Sequence, residues 1–184
     1  MPRSQPNDSV MQIGDGFGSV SLGNGVSLHE VDVIDDYGNE DQRAAPREAD
    51  QLTDWQRIPD EDIENHASGL CFMDDEGLRF HLPAYMRFTL LRYRESEFIS
   101  TDMTIYQLSA PDCITRLLGF LTDQQIDAMK GFLNACLEIG DDWLDISKVP
   151  LALRVWQGET EATVELQAVQ AASHKHLAGA LGLD

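Results

Sequence analysis

Gly77-Leu78-Arg79-Phe80-His81-Leu82-Pro83-Ala84-Tyr85-Met86-Arg87-Phe88-Thr89-Leu90-Leu91-Arg92-Tyr93-Arg94 is the stretch on which the reading of this chain turns. It holds four of the 13 Lys and Arg residues and no acid, in a chain of formal charge -19. Pro83 suits the first position of a helix, where its fixed φ is pre-organised and its missing N–H costs nothing. A helix is therefore predicted from about Pro83 to Glu95. Ala84, Tyr85, Met86, Phe88, Leu90, Leu91 and Tyr93 cover most of its circumference, the pattern of a helix covered on several sides. The expectation is a mainly α, compact domain built around this helix, with at most a short two-stranded element.

The basic residues of the stretch admit two readings. Arg87 and Arg94 are seven positions apart and should project from nearly one face, and Arg92 and Arg94 fall in the last turn, where cations complement the helix dipole. In one reading these arginines finish the helix and pair with surrounding acids. In the other, Arg79, His81, Tyr85, Arg87 and Arg94 form a binding surface for a ligand or partner, using forked donors suited to carboxylate or phosphate.

The whole chain limits the choice. Its 184 residues suffice for one core, and 42% hydrophobic content with no long apolar run gives no membrane span. The start, Met1 to Asp8, lacks the apolar centre of a secretory signal, which reads as cytoplasmic. Cys71, Cys113 and Cys136 are an odd number without a close pair, so each is expected as a small buried hydrophobe and none as half of a disulfide. Net charges of -8, -5 and -6 on residues 1–60, 61–120 and 121–184 spread the acidity evenly. Such a charge opposes nucleic acid and speeds association with a basic protein.

Outward from the centre, the organisation reads as a disordered 1–8, one helical domain over 9–157 and a variable tail over 158–184. Gly14, Gly16 and Gly18 predict only a short, weak helix, and their spacing is not a dinucleotide fingerprint. Ser27 and Glu30 make a capping box for a helix ended by Gly38. Asn39–Thr53 reads as a polar linker with a mobile helical turn, and Trp55 as a buried anchor ahead of a helix begun by Asp60 and closed by Gly69. Met103–Leu108 alternates like a strand, with Leu78–Phe80 as a partner or as a turn of helix. Pro111 opens a short helix, and Thr122 with Gln125 caps the clearest one, which lasts to Gly140 and should pack on the central helix. Trp143 suggests an anchored turn. Val149–Trp156 is helix if Pro150 is its first position and strand if not. The Ala- and Gln-rich tail offers a surface for a second copy of the chain.

Trp55 with Ile58-Pro59, Leu70-Cys71-Phe72-Met73-Asp74, the Leu82-Pro83-Ala84-Tyr85 motif and Thr104-Ile105-Tyr106 resemble a bacterial domain-of-unknown-function family. The similarity spans roughly residues 50–140, with the helix between Gly25 and Gly38 included. The resemblance implies a small cytosolic, mainly helical bacterial protein and brings no activity or catalytic residue.

Catalytic spacing is absent from the sequence. Ser68 lies near His66 without a nucleophile elbow, and Asp74, Asp75 and Glu76 sit in a turn or first helical turn, where exposed carboxylates gain little as general acids. No ligand spacing matches a known metal site, so neither a metal nor a cofactor is expected. The leading expectation is a non-enzymatic acidic interaction protein, immunity- or antitoxin-like against a basic partner, by analogy with other small acidic bacterial proteins. The alternative is a small-molecule or anion-binding protein, or an enzyme, using the Arg79, His81, Tyr85 and Arg87 region.

Overall fold

The computed structural model describes residues 6–96, 99–140 and 142–181. They form α1 (Pro6–Phe17), α2 (Glu30–Asp35), α3 (Glu40–Ala49), α4 (Asp60–Asn65), α5 (Asp75–Arg92), α6 (Ser100–Leu108), α7 (Pro111–Leu118), α8 (Asp123–Ile139), α9 (Val149–Trp156) and α10 (Thr160–Leu181). Single 3-10 turns stand at Trp55–Arg57 and Gly69–Phe72, and no strand occurs among the described residues. The mainly helical expectation therefore holds, and the strand read into Met103–Leu108 is wrong. That segment is the inner part of α6, which buries Thr104, Ile105, Gln107 and Leu108. Alternation over so short a run does not separate a strand from a buried helix.

The central helix is α5, and it begins well before Pro83. Asp74 caps it by accepting from the Gly77 amide at 2.8 Å, and the same oxygen accepts from Val26 at 3.1 Å. Pro83 lies inside, so the Arg79 carbonyl loses its usual intrahelical donor. Burial offsets that loss, because Leu78, Phe80, Leu82, Ala84, Tyr85, Met86, Phe88 and Leu90 all point into the core. The helices α1, α4, α6 and α8 and both 3-10 turns pack around it.

Helix α1 starts at Pro6, so positions 6–8 are helical where disorder was expected, and residues 1–5 of that stretch lie outside the described residues. It is no weak helix: Ile13 and Phe17 are fully buried. The glycines permit close approach. A Cβ on Gly16 would stand 3.3 Å from the Gln124 carbonyl, so α8 lies tight against α1. Helix α8 has the expected Thr122–Gln125 capping box and Gly140 at its end, with φ of +93°, but it packs chiefly on α1 and only secondarily on α5.

The acidic first third departs most from expectation. Helix α2 is only Glu30–Asp35, and Tyr37, at φ of +59°, takes the left-handed position expected of Gly38. Of the Ser27–Glu30 box only half exists: Ser27 N–H donates to Glu30 Oε2 at 2.8 Å. The supposed linker is helix α3, capped by Asn39 and Gln42. Its Arg43 and Arg47 reach Glu30 at 3.2 and 2.7 Å, and Arg47 also donates to the Gly25 and Gly23 carbonyls. Asp60 starts α4 after an extended Pro59 cap, but His66, not Gly69, ends it. Cys113 and Cys136 are buried free thiols, whereas Cys71 is exposed because its 3-10 turn faces it outward. Trp143 is also more open than an anchor would be, at 48% exposure, while its neighbour Leu144 is buried. Pro150 falls in the first turn of α9, as the helical reading required. Ala162 and Leu166 bury one face of α10 against the body.

Burial alone would raise the Glu30 carboxyl, but the Ser27 amide and Arg47 hold its pKa below the ordinary carboxylate range. Its stabilising effect is thus complete above the unfolded-state pKa and lost as pH falls through the lowered folded value. Glu30→Ala is expected to destabilise the fold by about 2–4 kcal/mol in urea unfolding at neutral pH, by leaving two arginines without their shared acceptor. The deficit should shrink in acid.

Candidate functional site

Where α5 places its basic and polar side chains decides whether the central stretch is a site. The Arg79 guanidinium lies over the Phe120 ring, 4.8 Å from its centroid. Arg87 turns to the Trp55 loop, donating to the Gln56 carbonyl at 2.7 Å and the Ile58 carbonyl at 3.4 Å, with Asp60 at 3.5 Å. Tyr85 is buried and its hydroxyl donates to the His66 carbonyl at 2.6 Å. Arg94, past the end of α5, stacks on Tyr93 and Trp143, 5.3 Å from each ring. His81 is fully buried, with Nδ1 2.9 Å from the Gly77 carbonyl. The five residues thus occupy separate surroundings, and among them only His81 lines the cavity of about 260 Å³ beside α5.

Besides the cleft of about 550 Å³ lined by Asp60, Glu61, Glu64, Arg92 and Glu95, two further places carry concentrated chemistry, and neither is legible as a unit in sequence. The first is a groove of about 530 Å³ between α6 and the α8–α9 loop, lined by Asp102, Asp142, Trp143, Asp145 and Ile146. The Asp145 amide donates to Asp102 Oδ1 at 2.9 Å, which fixes the loop against α6. Asp145 also accepts from Ser147 N–H and Oγ, and those bonds hold its pKa below the ordinary range. The Trp143 ring meets Tyr93 edge to face at 6.0 Å. The groove is therefore an anionic trough with one aromatic wall.

The second is a part-buried imidazole and carboxylate cluster formed by His29, Asp50, His66 and Asp32. His29 Nδ1 lies 2.5 Å from Asp50 Oδ1, and its amide donates to Asp50 Oδ2 at 2.9 Å. The His29 and His66 rings meet edge to face at 4.6 Å, and His66 lies 2.7 Å from the Asp62 carbonyl and 3.2 Å from Asp32. Among the described residues no three His, Cys, Asp or Glu side chains are arranged to hold a metal ion. Asp74 is spent on the helix cap and Asp75 on Arg116.

Burial works against charge on His29, but the hydrogen bond and charge of Asp50, with Asp62 and Asp32 beyond, raise its pKa. His81 moves the other way: burial pushes it down to about 4 despite the Gly77 carbonyl. With Nδ1–H donated to Gly77, the neutral ring presents Nε2 as an acceptor, and that atom is buried without a partner among the described residues.

A family model described as a family of unknown function, DUF6714, matches residues 6–158. The match takes in α1 and α3, which the resemblance read from residues 50–140 had left out, and ends before α10. No curated protein and no solved structure matches the chain. Among the described residues no helix is long and apolar enough to cross a membrane.

His81 protonates more readily unfolded than folded, so its contribution to stability is present above about pH 6.5 and lost as pH falls toward 4. His29, with a raised pKa, contributes in the opposite sense, present below the unfolded pKa and lost as pH rises through the folded one. In His81→Asn, whose amide replaces Nδ1–H, the acid-linked loss should be smaller. Unfolding free energies at pH 7 and pH 4 should show the gap between wild type and variant narrowing by about 3 kcal/mol.

Proposed function

The chain belongs to the DUF6714 family, whose function is unknown, and on its own geometry we propose that it is a non-catalytic binding protein for a basic protein partner. The observation that carries this reading is the groove with three aspartates and the half-exposed Trp143 wall. Carboxylates grouped in a groove suit a lysine or arginine side chain by charge pairing, beside an indole that already carries the Arg94 guanidinium. Trp, Tyr and Arg are also the residue types that dominate interface energetics, and here Tyr93, Arg94 and Trp143 are mutually stacked at one edge of the groove. The uniform charge of -19 would steer such a partner from a distance. Exposed Leu91 and Ile99 lie near this end of α5 and α6 in the chain and add apolar surface. An immunity- or antitoxin-like role is one biological form that this chemistry would take.

The anion-binding alternative has less support, because Arg79 and Arg87 are engaged with Phe120 and the Trp55 loop.

A fluorescently labelled oligo-arginine peptide provides the test, followed by anisotropy across a salt series. Binding at physiological salt is expected to weaken by about two- to fivefold in Trp143→Ala and in Asp142→Asn, with the exposed Trp143 emission shifting in the wild type. Equal affinity for wild type and both variants would mean that the peptide senses only net charge, and the groove reading would fall.

A further inference from the structure

Two adjacent residues, His29 and Glu30, hold α3 by opposite charges. That helix buries no residue of its own, so it stays on the body through polar contacts. Arg43 and Arg47 in its middle reach the Glu30 carboxylate. At its C-terminal end the cap residue Asp50 meets His29 twice, through the ring Nδ1 at 2.5 Å and the backbone amide at 2.9 Å. The Asp50 side chain is only 4% exposed, and among the described residues His29 is the one cation paired with it. A carboxylate so far from water needs a counter-charge, and the protonated His29 ring supplies it.

The corner beneath this end repeats the arrangement. The His66 ring touches His29, with Nδ1 2.7 Å from the Asp62 carbonyl and Nε2 3.2 Å from Asp32 Oδ2. Both contacts are hydrogen bonds only when the ring carries two N–H groups. The groups facing His29 are thus Asp32 from α2, Asp50 at the end of α3, and Asp62 and His66 from α4 and its cap. Behind them α5 contributes the Tyr85 hydroxyl, bound to the His66 carbonyl, and neutral His81. The 3-10 turn Gly69–Phe72, packed on α2, has Cys71 as its one titratable residue. Burial works against charge on His29, but the Asp50 hydrogen bond and charge, with Asp62 and Asp32 beyond, place its pKa above the ordinary 6.5. The charged pair therefore contributes fully below 6.5 and is lost as pH rises through the raised folded value. The neutral ring keeps one N–H for Asp50 but leaves that carboxylate without its counter-charge, so docking weakens without vanishing.

We propose that α3 is a proton-gated strap, whose C-terminal end is docked by the protonated His29–Asp50 pair and lifts when that proton is lost while α5 stays packed. The movement is bounded. Arg43 and Arg47 keep the middle of α3 on Glu30, and the Leu52 carbonyl beyond the strap accepts from the Leu22 amide at 2.9 Å. Ala49, Asp50 and Gln51 line the cavity of about 260 Å³ beside α5, whose Ile58 wall is fixed by Arg87, so the strap sets how open that cavity is. The device uses none of the residues of the Trp143 groove.

Amide hydrogen exchange of the full chain, corrected for the intrinsic pH dependence of exchange, reads the strap directly. Protection at Glu48–Asp50 is expected to fall about three- to fivefold between pH 6 and pH 9, the difference between a charged and a neutral hydrogen-bond partner at a partly exposed ring. Protection in α5 should stay unchanged. The fall should coincide with the His29 midpoint in an NMR titration of the histidine Cε1–H resonances. His29→Gln can donate to Asp50 but never carries charge, and Asp50→Asn needs no counter-charge. Both variants should therefore show no step, with thermal midpoints at pH 9 close to wild type. Flat wild-type protection overturns the proposal, as does a step that persists in either variant or that appears equally in α5, which would mark global opening.

Discussion

Burial of α5 on every side is the constraint from which the rest of this structure follows. A helix with core on all faces gains from each apolar side chain it carries, on the order of 1.5–3 kcal/mol apiece before entropy is counted. Most of its polar side-chain atoms are satisfied internally, with Arg79 Nε and His81 Nε2 left without a partner among the described residues. Tyr85 finds the His66 carbonyl, Thr89 the Tyr85 carbonyl and His81 Nδ1 the Gly77 carbonyl. The basic residues lie at the margins, where each performs a different task. Arg79 covers Phe120, Arg87 ties down the Trp55 loop, and Arg94 stacks on Trp143. Arg79 and Arg94 thus serve separate surroundings, whereas Arg87 and Arg92 converge on the one carboxylate of Asp60.

The same scarcity of basic residues shapes the acidic first third. With 32 acids against 13 Lys and Arg, an arginine that neutralises a buried acid must also serve the backbone around it. Arg47 does this, binding Glu30 together with the Gly23 and Gly25 carbonyls. Gly25 abuts the start of α5, close enough that a Cβ there would collide with Glu76 and the Gly77 amide. Through Arg47, helix α3 thereby secures the loop on which the Asp74 cap of α5 rests, since Asp74 accepts from Val26 as well. A polar helix with no buried residue of its own is held in place by charge pairing and capping.

Self-contained local signals held at the Thr122–Gln125 box, the Pro111 helix start and the Trp55 anchor, each resting on neighbours within a few residues, held only in half at the Ser27–Glu30 box, and left helix and strand open at Pro150. Asn39 and Gln42 carry the same kind of signal for α3, hidden by the polar composition around them. Pro83 misled because the rule that places proline in a first turn assumes a helix whose hydrogen bonds matter more than its packing, and in α5 packing prevails. The candidate sites were not readable in advance. Trp143 and Asp102 come from a loop and a helix distant in sequence, and His29, Asp50, His66 and His81 meet only after α2, α3, α4 and α5 have packed.

The groove lies between α6 and the α8–α9 loop and meets the end of α5 only through Tyr93, whose ring touches Trp143, whereas the cleft takes His81 from within α5. His81 and Tyr93 are twelve positions apart, so the cleft and the aromatic edge of the groove are separated by roughly 18 Å along the α5 axis at 1.5 Å per residue. A helix packed on all sides transmits position well but offers no second arrangement for a ligand to select, and coupling between sites requires an element with two states. The Arg87 clamp on the Gln56 and Ile58 carbonyls also fixes the cleft wall to α5, independently of what Trp143 contacts. The fold thus acts as a rigid frame carrying two chemically distinct surfaces. The indole and aspartates of the groove follow from the way the Asp145 amide ties the α8–α9 loop to Asp102 on α6.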